Sequence, residues 1–211
     1  MANRNGSSSS LSSSSETALE NGEPVPPRVL LLLGAQIAPL SDPPLGVPCA
    51  RVVGPNIAKV LAAARTCSPL LRPRIIHVRN AGGPGEPDEP RSPGWELIHA
   101  PLPDEHVLDK RKNNAFMGTP LSDLVPLDAE LIVVGLQSDF CVRATCSAAL
   151  ARGNAVLLIR GAHATYDRLE VWDGRSRTPA AKVEREIEEE LEEAGVILLE
   201  MKDLHDLFGE L

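Results

Sequence analysis

The chain reads as one α/β domain, a three-layer αβα sandwich around a mainly parallel sheet. Two patterns predict it. Apolar runs such as L-L-L-L at 30–33 and L-I-V-V-G-L at 131–136 are too continuous for strands with one wet face, and amphipathic segments alternate with them. Length agrees, since 211 residues suffice for a single domain with a polar end.

Residues 1–27 are Ser-rich, polar and broken by proline, so they bury too little apolar surface to offset ordering and are expected to be a disordered tail. The domain, 28–211, opens with a strand at 28–33 that Gly34 halts. Residues 39–48 are a Pro- and Gly-rich loop. A helix is expected over 56–66, where Ile57, Val60, Leu61 and Ala64 share one face. R-I-I-H-V-R at 74–79 is the second strand, with His77 as a hydrogen-bonded core residue. Residues 80–103 form a long polar loop with Gly82, Gly83, Gly85 and several prolines. Loops of this length are usually functional or disordered, and Trp95 within it favours function.

Residues 107–108 make a short strand leading to Lys110, 121–124 a short helix, and 131–136 a buried strand. A helix over 141–152 closes on Gly153 as its C-cap, and 155–159 is a strand. Thr178 and Pro179 start a helix whose buried stripe is Val183, Ile187, Leu191 and Ala194. Its acidic run, 184–193, reads as a solvated face. Residues 196–200 are the last strand and 204–208 a closing turn.

A hydrophobic fraction of 43% supports a sizeable core, and 3% aromatics makes that core aliphatic. The net charge of -8, with no basic stripe, argues against nucleic acid and against an anionic membrane as partner. Cys49, Cys67, Cys141 and Cys146 have neither C-x-x-C nor zinc-ribbon spacing. No apolar run approaches the roughly 20 residues of a membrane span, and no secretory pattern opens the chain. Reduced thiols in a cytoplasmic protein are expected.

Chemistry concentrates at Cys141, just past a buried strand and in the first turn of the next helix. The free N–H groups and the helix dipole there favour a thiolate and could hold an oxyanion. A cysteine at a helix start can equally be a small buried hydrophobe, and Cys146 is read that way. The segment V-V-G-L-Q-S-D-F-C-V-R-A-T at 133–145 resembles the nucleophile segment of the isochorismatase-like cysteine hydrolases. D-K-R-K-N-N-A-F-M-G-T-P-L at 109–121 is similar to the segment carrying their catalytic lysine, which places it at Lys110. L-L-L-L-G-A-Q at 30–36 resembles their first strand. H-V-R-N-A-G-G-P-G, with Gly94 and Trp95, looks most like the streptothricin-hydrolase branch.

The resemblance implies a hydrolase of C–N bonds in a small amide, lactam or related carbonyl compound, acting through a thioester on Cys141. It implies an oxyanion hole from the backbone of Gln137 and Cys141, and a cis Leu136–Gln137 peptide. Gln36, Trp95, Phe116, Leu136 and Gln137 would line the substrate pocket, with Trp172 reaching across a subunit contact. A dimer or tetramer is implied; no cofactor and no metal are expected. One departure stands out: the family's catalytic aspartate falls on Gly34, which cannot titrate. General acid–base help is typically worth about 10²–10⁴ in rate, so the alternative is a catalytically inactive relative that binds a ligand or partner. Asp42 and His163 are candidate replacements, Asp139 is expected to serve a turn before the helix, and Gly34→Asp is expected to raise activity on simple amides.

Overall fold

The computed structural model describes residues 26–172, 174 and 176–209, with the backbone of Leu19–Glu20 and Glu23–Pro24, which pair antiparallel. The tail expected over 1–27 thus lies almost wholly outside the described residues. The strands are β1 (Arg28–Leu33), β2 (Arg74–Asn80), β3 (His106–Lys110), β4 (Glu130–Leu136), β5 (Ala155–Ala164), β6 (Arg168–Glu170), β7 (Ser176–Thr178) and β8 (Ile197–Leu199). The α-helices are α1 (Ala50–Thr66), α2 (Leu121–Leu124), α3 (Arg143–Ala151), α4 (Ala180–Glu193) and α5 (Leu204–Phe208).

Among the described residues, one six-stranded sheet runs in the order β8-β5-β4-β1-β2-β3, and every neighbouring pair is parallel. The αβα sandwich is therefore as the sequence predicts. Successive side chains of a strand point to opposite faces, and β1 illustrates it: Leu30 and Leu32 pack with Ile57 and Val60 of α1 and Phe208 of α5. Val29, Leu31 and Leu33 pack instead with Cys146 and Ala149 of α3 and Val183, Ile187 and Leu191 of α4. Leu30 to Leu33 are fully buried. Each such leucine contributes roughly 1.5–3 kcal/mol of apolar burial.

Several boundaries differ from the sequence reading, each for a local reason. Helix α1 begins at Ala50, ahead of Pro55, because Ala50 and Val53 extend the buried stripe; Pro55 lies exposed within it. Strand β5 continues past Ile159 to Ala164 through Gly161, whose φ of +75° only glycine adopts freely, and its register against β4 shifts there. Ala194 is the exposed C-cap residue of α4 and not part of its stripe. Residues 204–208 form helix α5. The antiparallel hairpin β6–β7 has no counterpart in the sequence reading, which assigns no element between residues 160 and 177. Among the described residues, no helix is long and apolar enough to cross a membrane.

Topology fixes where a site can form. From β1 the chain builds outward through β2 and β3, then returns to place β4 on the other side of β1. In open parallel sheets ligands bind beyond the strand C-termini at such a reversal, here the ends of β1 and β4.

Candidate active site

Strand β4 delivers Cys141. After Leu136 a cis peptide links Leu136 to Gln137, as the resemblance implied, and Ser138–Val142 form a π-helical turn that runs into α3. The helical segment thus starts three residues earlier than expected. The Val142 N–H donates to the Gln137 carbonyl at 3.1 Å, an i→i+5 bond that widens this first turn. Cys141 sits in it, 8% exposed, at a helix entrance whose leading N–H groups lack intrahelical acceptors.

Strand β3 ends on Lys110, which is 1% exposed. Burying an ammonium is costly unless it is hydrogen-bonded, and here Nζ lies 2.9 Å from Cys141 Sγ and 3.3 Å from Asn80 Oδ1. Asn113 Oδ1 lies 4.0 Å from the same sulfur. Burial pushes the Cys146 thiol up to about 12, which suits a core residue with no cation beside it. The two cysteines one helical turn apart thus occupy opposite environments.

A cavity of about 220 Å³ opens at the sulfur, bounded by Gly34, Gln36, Leu136, Gln137 and Phe140. Gln36 is 1% exposed and works as a clamp on the long loop. Its Nε2 donates to the carbonyls of Asn80 (3.0 Å) and Trp95 (2.9 Å), while its Oε1 accepts from the Asn80 N–H at 2.7 Å. Residues 80–103 are therefore held against the site by backbone bonds.

Two expected pocket residues lie elsewhere. Trp95 stacks under Arg79, whose guanidinium carbon is 3.5 Å from the ring centroid, and meets the site through its carbonyl. Phe116 packs against the core with Arg152 over its ring at 4.6 Å. Phe140 lines the cavity instead, because the π turn swings it outward to 49% exposure. Trp172, on the β6–β7 hairpin, is 91% exposed and contributes nothing to the cavity within this chain.

Gly34, where the resemblance places the family's aspartate, has its own geometry. Gly34 has φ +58°, and a Cβ built on it would lie 2.9 Å from the Leu136 carbonyl oxygen. Gly34→Asp is therefore not the simple restoration the sequence suggested, since the backbone must shift to admit any side chain. Neither candidate replacement takes over. Asp42 is bound by Arg51 through two hydrogen bonds of 2.8 and 3.0 Å, which hold its carboxyl below the usual range, and it stands outside the cavity. His163 is buried behind the π turn, with Nδ1 2.9 Å from Ser138 Oγ and Nε2 3.2 Å from Glu188 Oε1.

Asp139 lies within the π turn ahead of α3, where it accepts from the Thr165 hydroxyl at 2.5 Å and ties the turn to the end of β5. The acidic run of α4 is not simply solvated. Glu184 accepts from the Thr165 N–H at 3.1 Å, and burial raises its carboxyl above the ordinary range. His77 is a core histidine as read, its Nε2 2.8 Å from Glu105 Oε2, and burial lowers it so that the ring stays neutral. Besides Phe140 and Pro39, three polar site residues escaped the sequence reading: Asn80, Asn113 and Asp88. Asn80 ends a strand beside the reversal point, a placement that could have flagged it. Nothing local distinguishes Asp88 or Asn113.

Comparison with known proteins agrees with this geometry. The Isochorismatase domain family matches residues 29–176. A streptothricin hydrolase of Streptomyces noursei is 39% identical over 168 residues, 76% of this chain and 58% of that protein. The chain thus spans a little over half the length of that relative. An isochorismatase of Pseudomonas putida superposes with a TM-score of 0.73 at 30% identity, covering 85% of this chain and 93% of that one. An isochorismatase-family hydrolase of Chromobacterium violaceum gives 0.73 at 28% identity, with 89% and 99% covered. Sheet order, the Cys141 turn and the matched segment point one way: this chain belongs to the isochorismatase family of α/β hydrolases.

Proposed function

We propose that the protein is a cysteine-dependent hydrolase of C–N bonds in a small amide, lactam or related carbonyl compound. The observation that carries this reading is the Lys110 ammonium 2.9 Å from Cys141 Sγ, with the sulfur facing a cavity. The ammonium and the helix entrance both favour the thiolate, the reactive form. Sulfur adds to the substrate carbonyl, and the N–H groups of Gln137 and Cys141 receive the oxyanion. The amine leaves, and water cleaves the thioester.

The cavity, about 220 Å³, suits a small substrate or the reactive end of a larger one. A streptothricin-type compound belongs in the test panel because relatives bear that name. The four free thiols suit a reducing compartment such as the cytoplasm. Leu169, Val171 and Trp172 form an exposed apolar group on the β6–β7 hairpin, which supports self-association into a dimer or tetramer.

Gly34 favours a second reading, an inactive relative that keeps the pocket as a binding site. Iodoacetamide labelling followed by peptide mapping separates the two. Cys141 should react at pH 6–7 well ahead of Cys49, and faster than an ordinary free thiol. An amide and lactam panel run on wild type and Cys141→Ala completes the test. Labelling no faster than a free thiol, together with no Cys141-dependent turnover, would leave the binding reading standing.

A further inference from the structure

Among the described residues lining the cavity, Asp88 is the carboxylate. It comes from the long loop, which Gln36 clamps in place. Its Oδ2 accepts from Asn80 Nδ2 at 2.6 Å, and Asn80 Oδ1 in turn accepts from Lys110 Nζ at 3.3 Å. Lys110 reaches Cys141 at 2.9 Å, so carboxylate, amide, ammonium and sulfur form one connected chain around the cavity. Gly82 makes room for this arrangement, because a Cβ there would fall 2.2 Å from Asp88 Oδ1. The half-buried carboxylate is thus held through one oxygen at the wall of the cavity that Gly34 also lines.

We propose that Asp88 is the acid/base of this site, taking the role for which Gly34 has no side chain. The proposal rests on Cys141 acting as nucleophile. The Asp88 carboxylate receives the thiol proton, and the thiolate forms a bond to the substrate carbonyl carbon. As the tetrahedral adduct collapses, the C–N bond breaks with its electron pair on nitrogen. Asp88 delivers its proton there, leaving a neutral amine and a thioester. Asp88 then takes a proton from water as the water oxygen adds to the thioester carbon. The C–S bond breaks with its pair on sulfur, and the proton returns to Cys141. The balance is amide plus water giving carboxylic acid plus amine. Asp88 serves as base, acid, base and acid in turn, which a carboxylate with one fixed oxygen can do.

The test uses p-nitrophenyl acetate, whose leaving group needs no proton. A burst of nitrophenolate reads acylation of Cys141, and the steady state reads hydrolysis of the acetyl-enzyme. Asp88→Asn keeps an oxygen to accept from Asn80 but cannot carry a proton. Because Lys110 still favours the thiolate and buffer can take the thiol proton ahead of the reaction, it should leave the burst within about threefold of wild type. The attacking water has no other base, so the steady state should fall by about 10²–10⁴-fold. Acetylated enzyme should then accumulate by intact-mass spectrometry, and the acid limb of the steady-state pH profile should vanish. Asp88→Glu should recover part of the steady state. The proposal is overturned if Asp88→Asn reduces burst and steady state in parallel, since that marks a structural role, or if the steady state is unchanged. A burst that persists in Cys141→Ala, or is missing from wild type, overturns the nucleophile reading itself and this proposal with it.

Discussion

Replacing Gly34 is expected to cost stability whichever side chain enters. The residue sits at φ +58°, and a side-chain-bearing residue in that left-handed region costs roughly 1–2 kcal/mol. Its Cβ would also lie 2.9 Å from the Leu136 carbonyl oxygen, a backbone atom that cannot rotate aside. Moving either chain by a few tenths of an ångström adds on the order of 1 kcal/mol. Alanine offsets about 0.4–1 kcal/mol of this by restricting the unfolded chain. The net loss for Gly34→Ala is therefore about 1–2.5 kcal/mol, or a melting temperature roughly 2–10 °C lower for a chain of this size. Aspartate tolerates the left-handed region better, so Gly34→Asp should fall at the lighter end. Because Leu136 and Gln137 wall the cavity, both variants should also slow alkylation of Cys141, and Gly34→Asp should bring no gain in amide turnover. Differential scanning calorimetry and urea titration measure the first effect, timed iodoacetamide labelling the second. A Gly34→Ala protein that melts with wild type would refute the argument from φ and the Leu136 contact.

Three further outcomes follow from the same geometry. Lys110→Met removes the ammonium beside Cys141 while nearly matching its volume, so labelling of Cys141 at pH 6.5 should slow by about tenfold or more while the fold is retained, as circular dichroism would check. Gln36→Leu deletes three hydrogen bonds and strands the Asn80 N–H and the carbonyls they served; a loss of about 2–5 kcal/mol and faster proteolysis within residues 80–103 are expected. Glu105 carries the pH dependence: burial works against its charge, but hydrogen bonds from Arg65 and His77 prevail and hold its carboxyl at about 2. A depressed carboxyl stabilises the fold above its unfolded value near 4.5, and that contribution, on the order of 1–3 kcal/mol, is lost as pH falls from there towards 2. Buried His77, lowered from 6.5, acts in the same direction, so urea midpoints should decline on acidification and Glu105→Gln should flatten the steeper part.

The parallel sheet and the place of Cys141 at a strand-to-helix turn were legible in the sequence. Unbroken apolar runs such as 30–33 and 131–136 can be satisfied only by helices on both faces, and that burden is local enough to read from one strand at a time. Cys141 was likewise findable from its position after a buried strand. Where the tertiary structure alone decided, the cause was an interaction between distant segments. Phe116 and Trp95 looked like pocket residues, but Arg152 and Arg79, one distant in sequence and one on the neighbouring strand, draw their rings away. Phe140 faces the cavity because a π turn rotates it there, which no residue pattern encodes. Asp42 and His163 had the right chemistry, yet Arg51 in one case and Ser138 with Glu188 in the other engage them outside the cavity. Asp88 had no signal at all in its loop. It reaches the site because Gln36, 52 positions earlier, pins that loop at Asn80 and Trp95, and a carboxylate's role depends on what folding sets beside it.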